Sequence, residues 1–209
     1  MTKRYFIQTF WCQMNQADSE KVNMVLLQSG FLRSPNIESA DLVIFNTCSV
    51  RQKWEDRVFG ILRDIKQRDI DSWKNTITWI TGCMVRKTGI AKKYIPEEYL
   101  SSHKKRKTAK KIDYLESDNQ IFNYEDKLFP RAENLDFTFR IEETKYLPLM
   151  LTQIYGEKIG QEDKFDDYLK QVQQRENPFS ASVIIQTGCD NYCSFCIVPF
   201  TRWGEVSRP

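Results

Sequence analysis

Apolar residues along this chain fall into short dense runs, separated by longer stretches where they recur every three or four positions. Three runs have the length and composition of strands: Tyr5 to Thr9, Asp41 to Asn46 with Leu42, Val43, Ile44 and Phe45, and Thr76 to Thr81. Between the first two, Val22, Val25, Leu26 and Ser29 share one helical face. Asp18 or Ser19 is placed to cap a helix from about Ser19 to Ser29, with Gly30 as its stop. Between the second and third runs, Trp54, Val58, Ile61, Leu62 and Ile65 keep helical spacing from about Gln52 to Gln67, a stripe that reads as core. The order is β-α-β-α-β, so the strands are expected to be parallel and the fold α/β. Farther along, Leu128-Phe129-Pro130 and Leu135 to Phe139 supply another short strand, and Leu147-Pro148 to Ile154 a helix. Residues 156–181 are rich in Gln, Asp, Glu and Lys and contain Pro178, which reads as a linker carrying one helix. A new apolar run, Ser182 to Gln186, opens a second unit. The expected organisation is a first domain over 1–155 with an insertion at about 86–127, a linker over 156–181, and the beginning of another domain over 182–209.

Each of the three strand runs is followed closely by a cysteine: Cys12, Cys48 and Cys83. Parallel sheets bind ligands at the carboxyl ends of their strands, so three such cysteines are expected to converge as three thiolates with an open position. Taken singly, each would read as a small buried hydrophobe; the repeated placement makes them candidate ligands. Cys48 also sits just before the second helix, where the positive end of the dipole and free N–H groups favour an anionic group. Three more cysteines, Cys189, Cys193 and Cys196, form a CxxxCxxC loop just past the apolar run at 182–186. A cubane takes four thiolates, so a loop that offers three leaves one iron free to chelate a small molecule, which is what radical S-adenosylmethionine chemistry requires. A disulfide or zinc loop is the other reading. Zinc sites favour paired CxxC or His partners, and the single His103 lies far upstream in a Lys-rich run.

Composition narrows the setting. At 41% hydrophobic and 28% charged residues the chain reads as a globular soluble protein. No run approaches the length of a membrane span, and the N-terminus passes directly into a strand without a signal-peptide core, so a cytoplasmic protein with reduced cysteines is expected. The net charge is only +3, but Lys92, Lys93, Lys104, Lys105, Arg106, Lys107, Lys110 and Lys111 concentrate within 86–111. That segment could touch a phosphate backbone; lacking interleaved aromatics, it reads better as a solvated surface insertion.

Taken together, the motifs resemble a known family. Cys12-Gln13-Met14-Asn15 with Asp18-Ser19-Glu20, Asn46-Thr47-Cys48-Ser49-Val50-Arg51, Thr81-Gly82-Cys83-Met84, and Gly188 through Cys196-Ile197-Val198-Pro199 with Thr201-Arg202 are similar to the methylthiotransferases. Within them the chain is most similar to the branch acting on isopentenylated adenosine of tRNA. The likeness covers about 1–95 and 128–209, leaving the basic insertion outside. It implies an N-terminal methylthiotransferase domain followed by the start of a radical SAM partial (β/α) barrel. It further implies two 4Fe-4S clusters: a SAM-binding one on Cys189, Cys193 and Cys196, with Phe195 against the adenine side, and an auxiliary one on Cys12, Cys48 and Cys83 whose open iron holds the sulfur to be transferred. A second SAM supplies the methyl group. The implied partners are tRNA and an electron donor such as flavodoxin or ferredoxin, for a protein acting as a monomer. Related substrates are threonylcarbamoyladenosine in tRNA and a ribosomal protein; a non-catalytic iron-sulfur or zinc binding module is the reading from another class. Two departures stand out. The family continues through most of a barrel and a small RNA-binding β-domain, so the chain reads as an inactive fragment. Trp11, Trp79 and Trp203 stand where the motifs usually carry Gly, a pattern expected if UGA codons that the source reads as Gly are rendered as Trp.

Overall fold

The computed structural model describes residues 2–10, 12–49, 52–87, 89, 126–156, 159, 169, 179–180, 182–202 and 204–208. Strands β1 (Arg4–Thr9), β2 (Leu32–Arg33), β3 (Leu42–Thr47), β4 (Ile77–Gly82) and β5 (Phe137–Thr138) form one five-stranded sheet in the order β2-β1-β3-β4-β5. Every pairing in it is parallel, with Thr9 opposite Asn46 and Asn46 opposite Thr81. The α/β expectation holds, and the three strands read from the sequence are the three central ones. The edge strand β2 was not foreseen. At two residues it is too short to leave an apolar period.

Helix α1 (Gln13–Gln28) starts well before the expected position, and its N-cap is Cys12 rather than Asp18 or Ser19. Those two polar residues are buried inside the helix instead, because partners elsewhere in the fold satisfy them. Its end is as expected: Gly30 has φ +85°, its N–H reaches Leu27 O at 3.0 Å, and the Phe31 N–H reaches Leu26 O at 3.1 Å. This is the paired 5→2 and 6→1 closure of a Schellman motif. Helix α2 (Gln52–Ser72) runs five residues beyond the expected Gln67. Trp73 follows it at φ +52°, almost wholly exposed, in a left-handed position that favours glycine.

The side chains of β3 alternate between two cores. Leu42 and Ile44 face one with Tyr5, Trp79, Val22, Leu26 and helix α3 (Leu147–Tyr155); Val43 and Phe45 face the other with Val58, Leu62, Ile65 and Ile80. All six residues of β3 are buried, as a central strand covered on both faces must be. Trp79 is fully buried, edge-on to Phe137 at 5.9 Å and to Phe139 at 5.7 Å, so the sheet here is built around an indole. Trp11 and Trp203 lie outside the described residues. Leu128-Phe129-Pro130 gives no strand: Phe129–Arg131 is a 3-10 turn, and β5 comes from the Leu135–Phe139 run alone.

The basic insertion, with Lys92 to Lys111 and His103, lies outside the described residues. Its two ends meet: the buried Asp126 carboxylate accepts the Arg86 N–H at 2.9 Å and the Lys87 N–H at 3.1 Å. Most of the expected linker also falls outside, but Leu169 and Ile184 are buried in the core of the first sheet. The barrel portion is not visible among the described residues. Residues from 182 onward instead give a two-stranded antiparallel ribbon, β6 (Gln186–Thr187) with β7 (Val206–Ser207), and the short helix α4 (Val198–Thr201). Among the described residues no helix is long and apolar enough to cross a membrane.

Candidate functional site

Strands β1, β3 and β4 are neighbours in the sheet, and each hands the chain to a cysteine at its carboxyl end. Thr47 pairs with Gly82, and one residue farther each strand carries Cys48 and Cys83 off the same edge. Phe10 continues β1, its N–H donating to Asn46 O at 2.9 Å, and Cys12 follows as the extended N-cap of α1. The helix N-terminus expected beside Cys48 is therefore also present, more directly, at Cys12. Cys48 is buried, Cys83 half-buried and Cys12 exposed.

A small set of amide and hydroxyl groups fixes these three turns. The Asn15 side-chain amide donates to Phe10 O at 2.9 Å and to Thr47 O at 3.0 Å, bridging the ends of β1 and β3. Asn46 donates back to Asn15 O at 2.8 Å and to Ser19 Oγ at 3.0 Å. Thr47 serves β4: its hydroxyl donates to Thr81 O at 2.6 Å and accepts the Met84 N–H at 3.2 Å, while its carbonyl accepts the Cys83 N–H at 3.0 Å. Gly82 turns with φ +87°, and a Cβ there would lie 2.5 Å from Thr47 O. Only glycine lets the Cys83 turn approach β3 this closely.

The second cysteine set leaves β6 through Gly188, at φ +74°. Asn191 Nδ2 lies 3.4 Å from Cys189 Sγ, Tyr192 takes φ +50°, and the Cys196 N–H closes on Cys193 O at 3.0 Å. Cys193 is exposed and Phe195 is 91% exposed, so this loop presents a thiol and a ring outward. Tyr192 and Phe200 pack edge-on at 6.1 Å across it.

None of the six cysteines is in a disulfide. Among the described residues no three or more His, Cys, Asp or Glu side chains are gathered tightly enough to hold a metal ion. The fold thus brings three cysteine-bearing turns to one sheet edge, without drawing the sulfurs into a finished ligand set. The donor chemistry suits a thiolate-bound iron cluster: six uncrosslinked thiols in two sets of three, one set on turns fixed by backbone and amide hydrogen bonds.

Sequence reasoning gave no role to Asn15, Asn46, Thr47 or Arg202. Arg202, just past α4, is buried and donates to Asp18 Oδ2 at 2.5 Å and to Asn15 Oδ1 at 3.1 Å. The available signal was polar residues at the ends of apolar runs, where the periodicity calls for burial. Charged groups cluster nearby: burial holds the Glu142 carboxyl above its usual range, opposed by the positive charges of Arg140 and Arg202.

Residues 4–100 match the model of the Uncharacterized protein family UPF0004. The chain is 32% identical over 98% of its length to the tRNA-2-methylthio-N(6)-dimethylallyladenosine synthase of Dictyoglomus thermophilum, of which it covers 39%. Proteins of the same name from Solibacter usitatus and Albidiferax ferrireducens are also 32% identical, over 99% and 100% of the chain and 38% and 39% of theirs. The chain therefore spans about two fifths of the length of these relatives. Residues 4–100, Cys12, Cys48 and Cys83 among them, thus match the UPF0004 model, and nearly the whole chain is similar to a part of these synthases.

Proposed function

We propose that this chain serves methylthiolation of an isopentenylated adenosine in tRNA, as the relatives' names describe for those proteins. The observation that carries this is the delivery of three cysteines, none in a disulfide, from three adjacent parallel strand ends, followed in sequence by a CxxxCxxC loop. On this reading Cys12, Cys48 and Cys83 hold an auxiliary 4Fe-4S cluster, and Cys189, Cys193 and Cys196 hold a second one that binds SAM. When bound, these groups supply reductive cleavage of SAM and a sulfur source at open iron positions. The chain's own residues supply the arrangement. Asn15 and Thr47 keep the turns in register, burial shields Cys48 from solvent, and exposed Phe195 offers a flat apolar surface to a bound adenine. The tRNA and a flavodoxin- or ferredoxin-type electron donor are the partners, in a cytoplasmic monomer.

Anaerobic reconstitution with ferrous iron and sulfide tests the reading. About eight irons per chain with cubane absorption are expected, falling to about half in Cys193→Ala and also in Cys48→Ala. Retention of zinc without colour would favour a non-catalytic metal-binding module instead.

A further inference from the structure

The side chain of Arg202 crosses from the second unit into the heart of the first. It stands just after α4, six residues beyond Cys196, yet its guanidinium is buried against α1. One nitrogen, Nη2, donates to Asp18 Oδ2 at 2.5 Å and to Asn15 Oδ1 at 3.1 Å. Asn15 is the residue whose amide nitrogen donates to Phe10 O and Thr47 O, and Thr47 O also accepts the Cys83 N–H. An Asn side chain has one acceptor and one donor end. With Arg202 on the oxygen, the NH2 must face the two carbonyls, which is the orientation that bridges the ends of β1 and β3. A short polar relay therefore links the second cysteine loop to all three turns of the first set.

We propose that Arg202 is a positioning residue that couples the two cysteine sites, by fixing the Asn15 amide which holds the Cys12, Cys48 and Cys83 turns together. Asp18 has a defined part in this: its buried carboxylate compensates the guanidinium charge and fixes its height along α1. The proposal rests on the reading of both cysteine sets as cluster ligands, but its physical content is the local order of the first set and can be measured without iron.

In the metal-free full chain, the alkylation rate of each cysteine is followed by peptide mass spectrometry. Cys48 is 4% exposed and should react slowly. Arg202→Gln is expected to speed its alkylation about tenfold or more by releasing the turn, while Cys189 and Cys193, which lie closer in sequence to the substitution, change by less than about twofold. Arg202→Lys retains the charge toward Asp18, but its shorter side chain and tetrahedral ammonium do not reproduce the placement of Nη2 between Asp18 and Asn15, so it should fall between the two. Iron release to a chelator, measured in a Cys193→Ala background where only the first set can load, should likewise be about tenfold faster in Arg202→Gln. Cys48 reactivity within twofold of the parent in both Arg202 variants would overturn the proposal. If Arg202→Gln does not fold, as its circular dichroism will show, the folded Arg202→Lys and Asp18→Asn chains decide: parental Cys48 protection in both would overturn it equally. Failure of the parent to load iron at the first set would sink the functional reading, and the alkylation rates would still decide the role of Arg202.

Discussion

At the scale of single residues, Gly82 is constrained twice over. Its φ of +87° alone disfavours a side chain, and a Cβ would also collide with the backbone of Thr47 at 2.5 Å. Gly82→Ala is expected to lower stability by about 2 kcal/mol or more, the left-handed penalty plus the displacement of the Cys83 turn, measured by urea unfolding. Gly30→Ala has φ +85° with open space around it, so it should cost about half as much, and equal losses would deny the close approach. Cys12 presents the opposite case. It caps α1 without any side-chain hydrogen bond, although its extended backbone is suited to one. Cys12→Asn should therefore stabilise the fold by roughly 0.5–1 kcal/mol while abolishing cluster loading at the first site. On the proposed reading the thiol stands where Asn would cap better because it is a cluster ligand; a destabilised Cys12→Asn chain that still loads both sites would contradict it.

Among elements, the β4–β5 edge carries a titration. The Asp136 carboxylate accepts the Thr78 N–H at 2.7 Å just before β5 begins. Burial raises its pKa, the Thr78 hydrogen bonds pull it down, and the charge of Asp69 raises it further, with a net upward shift. A carboxyl whose folded pKa lies above its unfolded value binds its proton more tightly in the native state. Its contribution is thus fully present below the ordinary Asp range and is lost as pH rises through the folded pKa. Asp136→Asn keeps an acceptor for Thr78 but cannot titrate, so the plot of unfolding midpoint against pH should be flatter than the parent's just above the ordinary carboxylate range. An unchanged slope there would assign the titration elsewhere.

At the scale of the whole molecule, the segment after 155 is bound to the first domain by more than its linker. Leu169 and Ile184 complete the core under α1 and α3, Arg202 neutralises buried Asp18, and Arg208 reaches Leu169 O at 2.5 Å. Removing one partner of a buried ion pair costs about 3–5 kcal/mol, so a 1–155 chain should unfold at much lower urea than the 209-residue chain. Asp18→Asn in the short chain should recover part of that loss. Equal midpoints for the two lengths would show the segments to be independent.

Dense apolar runs at Tyr5–Thr9, Leu42–Phe45 and Thr76–Thr81 determined three strands, and the stripe from Trp54 to Ile65 determined a helix, because burial on both faces of a parallel sheet leaves few other patterns open. Parallel order then placed Cys12, Cys48 and Cys83 at one edge by topology alone. The start of α1 was misplaced because Asp18 and Ser19 look like caps to any local rule. Whether such a residue caps a helix or lies buried within it depends on what stands opposite, here Arg202, 184 residues away for Asp18. The same holds for Leu169 and Ile184, whose packing no local period announces, and for Asn15, whose amide is aimed by a distant guanidinium. Local pattern is set by neighbours along the chain, so sequence alone determined the three central strands, the core stripe of α2 and the edge that bears the cysteines. The partners of buried polar groups are set by closure of the chain on itself, so only the tertiary structure decided how the cysteine-bearing turns are held and that Arg202 meets Asp18 and Asn15.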